Sequence, residues 1–375
     1  MYSVMSTSYE YKLNKRQISK IQIDGFKSIE KSTIELNMLN VLIGGNGAGK
    51  SNFISLFKLL DSMIKKELQT YISVNGGAND FLFFGNKQTD SLKIDFRFGY
   101  NGYGFELAST PDDHFVFSKE FFYWEVSGNH SLGSGHMESK WEYGTGTGID
   151  SFVIPILKDQ KWRVYHFHDT SDTASVKKTQ YISNNLDLKS DAGNLAPFLY
   201  RLKNTSIVEY DTIVKTVKTV APFFSDFVLE PNPLNPDNII LMWKDVRSEE
   251  VFKASQFSDG TLRFICLATL LLQPYDLMPE TIVIDEPELG LHPFAIQMLA
   301  EMLRRVSLVK QVIITTQSVT LLNEFSPESI IVVNHNQNHT EFVRLNEKEL
   351  VDWLKDDYSL GDLWEKNVLG GRPVW

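Results

Sequence analysis

A glycine-rich segment between two apolar stretches is the part of the sequence best suited to chemistry. It has the form G-x-x-x-x-G-K-S and runs from Gly44 to Ser51, after the apolar residues 39–43 and before the amphipathic residues 53–64. Glycines let successive backbone N–H groups point toward a phosphate, and the following helix adds positive charge at its N-terminus. Lys50 would reach the β- and γ-phosphates, and the Ser51 hydroxyl would bind Mg²⁺. The order strand, loop, helix therefore predicts a phosphate-binding loop.

Two acidic residues follow a second apolar strand. Residues 281–284 are apolar or small, and Asp285 and Glu286 come directly after them. In open α/β sheets, ligands bind at the carboxyl ends of such buried strands. Asp285 is suited to hold Mg²⁺ directly or through water, and Glu286 to polarise an attacking water. A buried approach argues against a surface ion pair, because buried charges need a partner or a function.

Two further sets of polar residues leave alternatives open. Lys27, in the turn after the first predicted strand, either lies near the phosphates or is a solvated turn lysine. His166 and His168, with Asp169, would share one face of a strand and could suggest a metal site. No further ligand has a recognisable spacing, so a structural or hydrogen-bonding role is favoured for the two histidines.

Periodicity predicts the elements that carry these residues. Two alternating segments, 18–23 and 33–36, predict a small sheet over the phosphate loop, and aromatic runs between 92 and 126 predict an antiparallel sheet. The Gly/Ser-rich segment 127–148 predicts a mobile loop, and residues 162–167 predict another strand. Residues 194–219 have a helical pattern with a basic face that solvation explains best, and no sustained heptad array indicates a long coiled coil.

Composition excludes several classes of protein. The chain has 375 residues, 42% of them hydrophobic, and a formal net charge of −10. Acidity speaks against a surface that is basic throughout, although a local basic groove stays compatible with it. The single cysteine, Cys266, lies in an apolar run and is expected to be an inert core thiol. The polar N-terminus is no secretory signal and the apolar runs are too short to span a bilayer, so a cytoplasmic protein with no membrane partner is predicted.

Four segments together resemble a known class of ATPases. They are IGGNGAGKSN, QFSDGTLR, TIVIDEPELGLHP and VIITTQS, in that order along the chain. The set resembles the ABC-class ATPases of the SMC, RecF and OLD type, most of all the stand-alone ATPases of that group associated with bacterial defence systems. The resemblance covers nearly the whole chain. It implies an α/β fold: an ABC-ATPase head, or P-loop NTPase, with an antiparallel β-subdomain and a helical lobe but no long coiled coil.

The resemblance also implies a domain organisation. Residues 1–17 are expected to be a flexible leader and residues 18–375 a single ATPase domain. Within that domain, a β-rich lobe spans about 18–170 and a helical lobe about 185–230. A lobe with the signature loop and the acidic pair spans about 231–345, and a tail follows at 346–375. No nuclease domain is expected after the ATPase core.

A shared ATP site is implied in the same way. Ser258, Asp259 and Gly260 match the signature loop, which in this class binds the γ-phosphate of ATP held by a second chain. Glu286 matches the catalytic glutamate, and residues 288–292 match the loop that crosses the dimer interface. Gln317 replaces a histidine of many relatives and cannot become cationic, so hydrolysis is expected to be slow. Gln88 and Gln160 are the candidates for a glutamine that links the lobes.

These inferences define the predicted site. The predicted catalytic residues are Lys50, Glu286 and Gln317, and the predicted Mg²⁺ ligands are Ser51 and Asp285. The predicted ATP-binding residues are Lys27, Gly44, Gly45, Asn46, Gly47, Ala48, Gly49, Lys50, Ser51, Asn52, Ser258, Asp259 and Gly260.

Three functions remain to be separated. In the first, ATP and Mg²⁺ dimerise the chain, which then regulates a separate nuclease-like or toxin-like effector in anti-phage defence. The second is a RecF-like repair or recombination ATPase that binds DNA. The third, a transporter subunit, is disfavoured because the signature and acidic motifs resemble those of the soluble group.

Overall fold

Among the described residues, two six-stranded sheets organise the chain. The computed structural model describes residues 16–143, 148, 150–159, 162–336, 338–348, 350, 353 and 358–370. The strands of the two sheets and of two smaller ones are β1 (Lys20–Phe26), β2 (Ile29–Glu35), β3 (Leu39–Ile43), β4 (Ser91–Phe98), β5 (Asn101–Ser109), β6 (Phe115–Trp124), β7 (Gly128–Gly133), β8 (Trp162–Tyr165), β9 (Gln180–Tyr181), β10 (Phe224–Val228), β11 (Asn238–Ile239), β12 (Met242–Asp245), β13 (Val251–Lys253), β14 (Thr281–Asp285), β15 (Gln311–Thr316), β16 (Ile330–Asn336) and β17 (His339–Arg344). The helices are α1 (Lys50–Ile64), α2 (Leu68–Val74), α3 (Asp150–Lys158), α4 (Leu195–Thr205), α5 (Ile207–Val220), α6 (Asp259–Leu272), α7 (Pro293–Ser307), α8 (Val319–Leu322) and α9 (Leu360–Glu365).

The first sheet is parallel except at one edge, and its strand order is β17-β16-β3-β15-β14-β8. Its central strands are apolar on both faces, as buried parallel strands require. In β14, Ile282 and Ile284 pack into one hydrophobic core, whereas Val283 packs into the other. Because β3, β15 and β14 are adjacent and parallel, the residues that follow them meet at one edge of the sheet. The phosphate loop and the acidic pair are thereby placed at that edge.

The second sheet is antiparallel, with the strand order β2-β1-β4-β5-β6-β7. The predicted antiparallel sheet is confirmed, but the prediction of a separate small sheet before the phosphate loop is wrong. Strand β1 pairs with β2 on one side and with β4 on the other, so both predicted sheets are one. Alternate side chains such as Ile21, Ile23 and Phe96 lie on one face of this sheet and pack into the hydrophobic core that also contains the buried side of α1.

Two segments differ from their sequence predictions. Part of the predicted loop at 127–148 is strand β7, whose side chains are mostly exposed. Its pairing with β6 uses main-chain groups, which leave no hydrophobic pattern in the sequence. A strand is present in the predicted segment 162–167, but β8 ends at Tyr165 and lies in the parallel sheet beside β14, so the prediction that His166 and His168 share one face of a strand is wrong. Trp162 packs into one core and Tyr165 into the other, as a strand covered on both faces requires.

Helices cover the other face of the parallel sheet. The helical pattern predicted for residues 194–219 is confirmed by α4 and α5, and α5 packs on α6. Cys266, on α6, is buried, and burial raises the pKa of its thiol to about 12, which makes the thiol unreactive. In the part of the chain that the structure describes, no helix has the length and apolar character needed to cross a membrane. The longest described helices, α1 and α7, have 15 residues each, so no long coiled coil is present among them.

The start of the described chain is fixed to the core by one buried amide. The predicted leader, residues 1–17, lies outside the described residues except for its last two, and Gln17 is buried. The Gln311 side chain, at the start of β15, accepts hydrogen bonds from the Ile18 N–H (3.1 Å) and the Thr281 hydroxyl (2.8 Å). It donates to the carbonyls of Ile18 (2.7 Å) and Asn37 (3.0 Å). All four hydrogen-bonding positions of this amide are therefore used.

Replacing Gln311 with leucine should lower the free energy of unfolding by about 3 kcal/mol, because buried groups of Ile18 and Thr281 and the partly buried carbonyl of Asn37 lose their partner. Urea unfolding of the two proteins measures the difference. Gln273→Leu is the matched control. Gln273 is also buried, but it donates one hydrogen bond, to Leu270, and its Oε1 has no partner among the described residues. Equal losses in the two variants would show that the amide network does not hold the N-terminal strand.

Candidate nucleotide site

The phosphate loop connects β3 to α1 as predicted, and neighbouring elements hold its shape. Gly49 is the N-cap of α1 and has φ +111°, a conformation that side chains other than glycine rarely adopt. A Cβ there would collide with Thr340 of β17. The Thr340 hydroxyl donates to the Ala48 carbonyl (2.9 Å) and hydrogen-bonds the Ser28 hydroxyl (2.7 Å). A turn near the start of the described chain and a strand near its end therefore support the loop.

Lys50 lies inside this loop. Its side chain is buried, and Nζ donates to the carbonyls of Gly44 (2.6 Å) and Gly45 (3.1 Å). Burial lowers the pKa of the ammonium group, and the negative charges of Glu286 and Asp285 oppose that shift. The lysine is thus close enough to the acidic pair to sense its charge. A phosphate in the loop would offer Lys50 oxygens that carry more charge than the two carbonyls.

The acidic pair leaves β14 where predicted. Asp285 is the last residue of β14, and its Oδ1 accepts a hydrogen bond from the Thr315 hydroxyl. Glu286 has φ +40°, and its N–H donates to the Thr315 carbonyl (3.0 Å). A positive φ at a non-glycine residue costs energy and persists where the surrounding structure holds it. The Glu286 side chain is therefore held in an unusual direction at the sheet edge.

Gln317 and Glu288 complete this edge. Gln317 Nε2 donates to Glu286 Oε1, so the structure joins two of the predicted catalytic residues. Glu288 is buried, and its Oε1 accepts from the Thr316 hydroxyl (2.5 Å) and the Gln317 N–H (3.3 Å). Burial raises the pKa of Glu288, and its Oε2 has no partner among the described residues. Glu288 therefore fixes the loop after β15 against the loop after β14.

Two histidines contact Asp285, which the sequence analysis did not foresee. His168 Nε2 donates to the Asp285 carbonyl (2.9 Å), and His166 Nδ1 lies 3.8 Å from Asp285 Oδ2. Burial lowers the pKa of His166 to about 4, so its ring is neutral at neutral pH. Both follow β8, the neighbour of β14, and their place after a strand was the available signal. Of the two candidate glutamines, Gln88 is exposed in a turn before β4, and Gln160 lies outside the described residues.

The donors at this edge fit a magnesium ion bound with a nucleotide. Ser51 follows Lys50 in the first turn of α1 and is exposed, and Asp285 supplies a carboxylate from β14. Magnesium prefers oxygen ligands and usually takes one or two from the protein, the others from phosphates and water. Among the residues described, no group of three or more histidine, cysteine or acidic side chains could hold a metal by itself.

The signature loop, Ser258–Gly260, lies at the start of α6. Ser258 is the N-cap, and its hydroxyl accepts from the Thr261 N–H (3.2 Å). Ser258 and Asp259 are exposed, and within the described part of the chain no hydrogen bond joins this loop to residues 44–52. The structure therefore does not bring the predicted signature residues into hydrogen-bonding contact with the phosphate loop of the same chain.

Lys27 lies beside the phosphate loop, with its charge on an aromatic ring. Its Nζ is 4.6 Å from the centre of the Phe81 ring, and burial lowers its pKa. The next residue, Ser28, accepts a hydrogen bond from Asn52 Nδ2 (2.6 Å) in the first turn of α1. Lys27 and Asn52 both line a cavity of 570 Å³. The turn thus touches the loop through Ser28, whereas Lys27 faces Phe81.

Solved structures of other proteins have a fold similar to that of this chain. A solved structure of an Smc head bound to the C-winged helix domain of ScpA has a TM-score of 0.59 at 15% identity, covering 89% of this chain and 99% of that one. An Smc head with an extended coiled coil, bound to the C-terminal domain of ScpA from Pyrococcus furiosus, has a TM-score of 0.55 at 15% identity, covering 91% and 99%. The fold is therefore that of SMC head ATPase domains. No curated protein matches the sequence.

A family model settles the relationship at the level of sequence. It matches residues 39–141 and 145–323, which are more than half of the chain and include the phosphate loop, the signature loop and the acidic pair. The chain belongs to the family described as "AAA domain, putative AbiEii toxin, Type IV TA system".

Proposed function

We propose that this protein is an ATP-hydrolysing switch that dimerises around two ATP–Mg²⁺ complexes and regulates a separate effector. One observation carries the proposal. A single sheet edge holds Lys50, Asp285, Glu286 and Gln317, while Ser258 lies exposed on another element. The first four residues would bind one side of a nucleotide and activate the attacking water. The exposed signature loop would contact a nucleotide held by another chain.

The chemistry follows from the positions of these side chains. Lys50 would exchange its two carbonyl partners for β- and γ-phosphate oxygens. Ser51 and Asp285 would hold the magnesium ion, which neutralises charge that develops on the phosphates. Glu286 would accept the proton of the attacking water. Gln317, bonded to Glu286 Oε1, directs that carboxylate but adds no positive charge, which supports slow hydrolysis.

The signature loop would complete the site in trans. Ser258 caps a helix of 14 residues whose N-terminus carries partial positive charge and free N–H groups. A γ-phosphate presented by a second chain would be stabilised there. Since each chain carries one phosphate loop and one signature loop, two chains would enclose two nucleotides. ATP would then hold the dimer together until it is hydrolysed.

The proposal of a separate effector and of a pathway is based on the similar proteins. The family description names a toxin and a toxin–antitoxin system, and the similar Smc heads were solved with domains of another protein, ScpA. The first favours a toxin-like component, and the second favours an ATPase that acts on a separate protein. We place this switch in anti-phage defence, with a nuclease-like or toxin-like effector as its partner. A gene for such an effector beside this one would support that role.

Mixing two inactive variants tests the shared site. Lys50→Ala damages the phosphate loop and Ser258→Arg the signature loop, so each variant alone should be inactive. In a mixed dimer, the intact Lys50 of one chain meets the intact Ser258 of the other. One working site per mixed dimer should therefore recover up to about a quarter of wild-type hydrolysis at equal ratios, by the statistics of closed two-chain assembly. Phosphate release across a range of ratios measures the recovery.

A second mixture is the control. Lys50→Ala and Glu286→Gln both damage the half of the site that one chain supplies to its own nucleotide, so their mixture should stay inactive. Folded single variants with no recovery in the first mixture would exclude the shared site. The protein would then be a monomeric ATP-binding module.

A further inference from the structure

Arg263 joins the signature helix to two other elements of the site. It lies on α6, four residues after Asp259, and its Nη1 donates to the Leu289 carbonyl (3.1 Å). Its Nη2 donates to the His168 carbonyl (2.9 Å) and reaches the Thr170 hydroxyl at 3.5 Å. A single guanidinium group thus holds α6, the loop after β14 and the segment after β8 together. A planar fork with several donors suits this arrangement, and a lysine ammonium group does not reproduce it.

Both bonded segments lead back to the acidic pair. The His168 ring donates to the Asp285 carbonyl (2.9 Å), so one route runs from α6 through Arg263 and His168 to the proposed magnesium ligand. The Leu289 N–H donates to the Glu286 carbonyl (3.2 Å), so the second route ends at the proposed catalytic glutamate. Each link is a hydrogen bond within one chain.

The signature loop, the loop after β14 and Arg263 are closely packed against one another. A Cβ at Gly260 would collide with the Gly290 carbonyl, so the signature loop lies directly against the loop after β14. Gly290 has φ +75°, and a Cβ there would meet Arg263 Nη1 at 2.5 Å. Among the described residues, Arg263 forms no ion pair, and its buried Nε has no partner. The guanidinium group is therefore hydrogen-bonded to backbone carbonyls of two segments rather than paired with a carboxylate.

We propose that Arg263 is a positioning residue that couples the two ATP sites of the dimer, an inference that rests on the proposed function. The signature loop would contact the nucleotide of the partner, whereas Asp285 and Glu286 would act on the nucleotide of their own chain. Arg263 makes both sets move together within one chain. Engagement of one nucleotide by Ser258 and Gly260 would then change the geometry of the acidic pair at the other, which is a coupling between two sites.

Hydrogen–deuterium exchange of the nucleotide-free protein tests the mechanical link. Arg263→Gln should increase exchange in peptides that cover residues 166–170 and 286–292, because both lose a charged donor. Arg305→Gln is the matched control, since Arg305 is exposed on α7 and its side chain has no hydrogen bond or ion pair within the described residues. Unchanged exchange in both peptides would overturn the proposal, whatever the ATPase activity.

Placing the substitution in the mixed dimer tests the coupling. In the Lys50→Ala and Ser258→Arg mixture, the working site takes its signature loop from the first chain and its acidic pair from the second. Arg263→Gln should lower kcat about tenfold or more on either chain, by the loss of a charged hydrogen bond, with little change in KM for ATP. A residue that supported only the signature loop, or only the acidic pair, would affect one placement.

The outcomes separate the two proposals. Loss of activity in both placements, with ATP binding by the Ser258→Arg chain retained, supports the coupling. An active mixture in which Arg263→Gln is silent on one chain removes the coupling and leaves the proposed function intact. A mixture with no activity before Arg263 is changed removes the shared site, and the coupling with it. Circular dichroism and thermal melting of every variant show whether it is folded.

Discussion

Lys50→Ala should reduce ATP hydrolysis by roughly a hundredfold or more, the size of effect seen when one preorganised donor to a developing charge is removed. Lys50 is buried, and its Nζ is held at 2.6 Å from the Gly44 carbonyl. The ammonium group therefore lies inside the loop that would hold the phosphates. Steady-state phosphate release, together with ATP affinity from calorimetry, separates the effect on hydrolysis from the effect on binding.

Lys65→Ala is the control for this substitution. Lys65 follows the other end of α1 and pairs with Asp61 at 2.6 Å, in a partly exposed ion pair. The control should hydrolyse ATP as the unmodified protein does, because a surface ion pair contributes little. Equal turnover and equal ATP affinity in Lys50→Ala and the unmodified protein would show that the glycine-rich loop is not the nucleotide site.

Glu286→Gln should bind ATP normally and hydrolyse it about a hundredfold to ten-thousandfold more slowly, as expected when a general base is removed. The substitution keeps the size of the side chain and the hydrogen-bonding distance to Gln317, and it removes the proton acceptor. Since hydrolysis would no longer release the partner chain, the ATP-bound dimer should accumulate. Light scattering with ATP and Mg²⁺ should show twice the monomer mass, which falls back when Mg²⁺ is chelated.

Glu301→Gln provides the comparison for the Glu286 variant. Glu301 lies on α7, outside the sheet edge, and its exposed carboxylate pairs with Arg304 at 2.8 Å. Its hydrolysis and its mass should match those of the unmodified protein. If Glu286→Gln turns over ATP at the normal rate, the base must be another residue. Rapid turnover with no dimer would also argue that the 286 position does not control assembly.

The order of neighbouring residues in the sequence was sufficient to predict much of the candidate site. The phosphate loop, the buried strand before Asp285 and Glu286, and the capping serine of α6 each follow from residues within a few positions of one another. Apolar runs predicted the buried parallel strands, and parallel strands place their carboxyl ends at one edge. The hydrogen bond between Gln317 and Glu286 is not among these features, because it depends on β15 lying beside β14, which the structure shows.

Other features needed the folded chain. Strand β7 uses main-chain pairing with exposed side chains, and the position of β8 in the parallel sheet depends on which strand accepts its hydrogen bonds. Neither choice leaves a periodic signal, because periodicity reports burial and not the identity of the neighbour.

The sequence by itself predicted the chemistry proposed for this protein: which residues would bind phosphates, hold magnesium and activate water, and on which strand ends they lie. The tertiary structure alone decided how those residues are connected. Arg263 reaches the His168 carbonyl across 95 positions, and His168 reaches Asp285 across 117. These contacts join elements whose hydrophobic patterns reflect only their own burial. The hydrophobic pattern of the sequence would therefore be the same whether or not the contacts formed. Only the packing of α6, β8 and β14 around shared cores brings their ends within hydrogen-bonding distance.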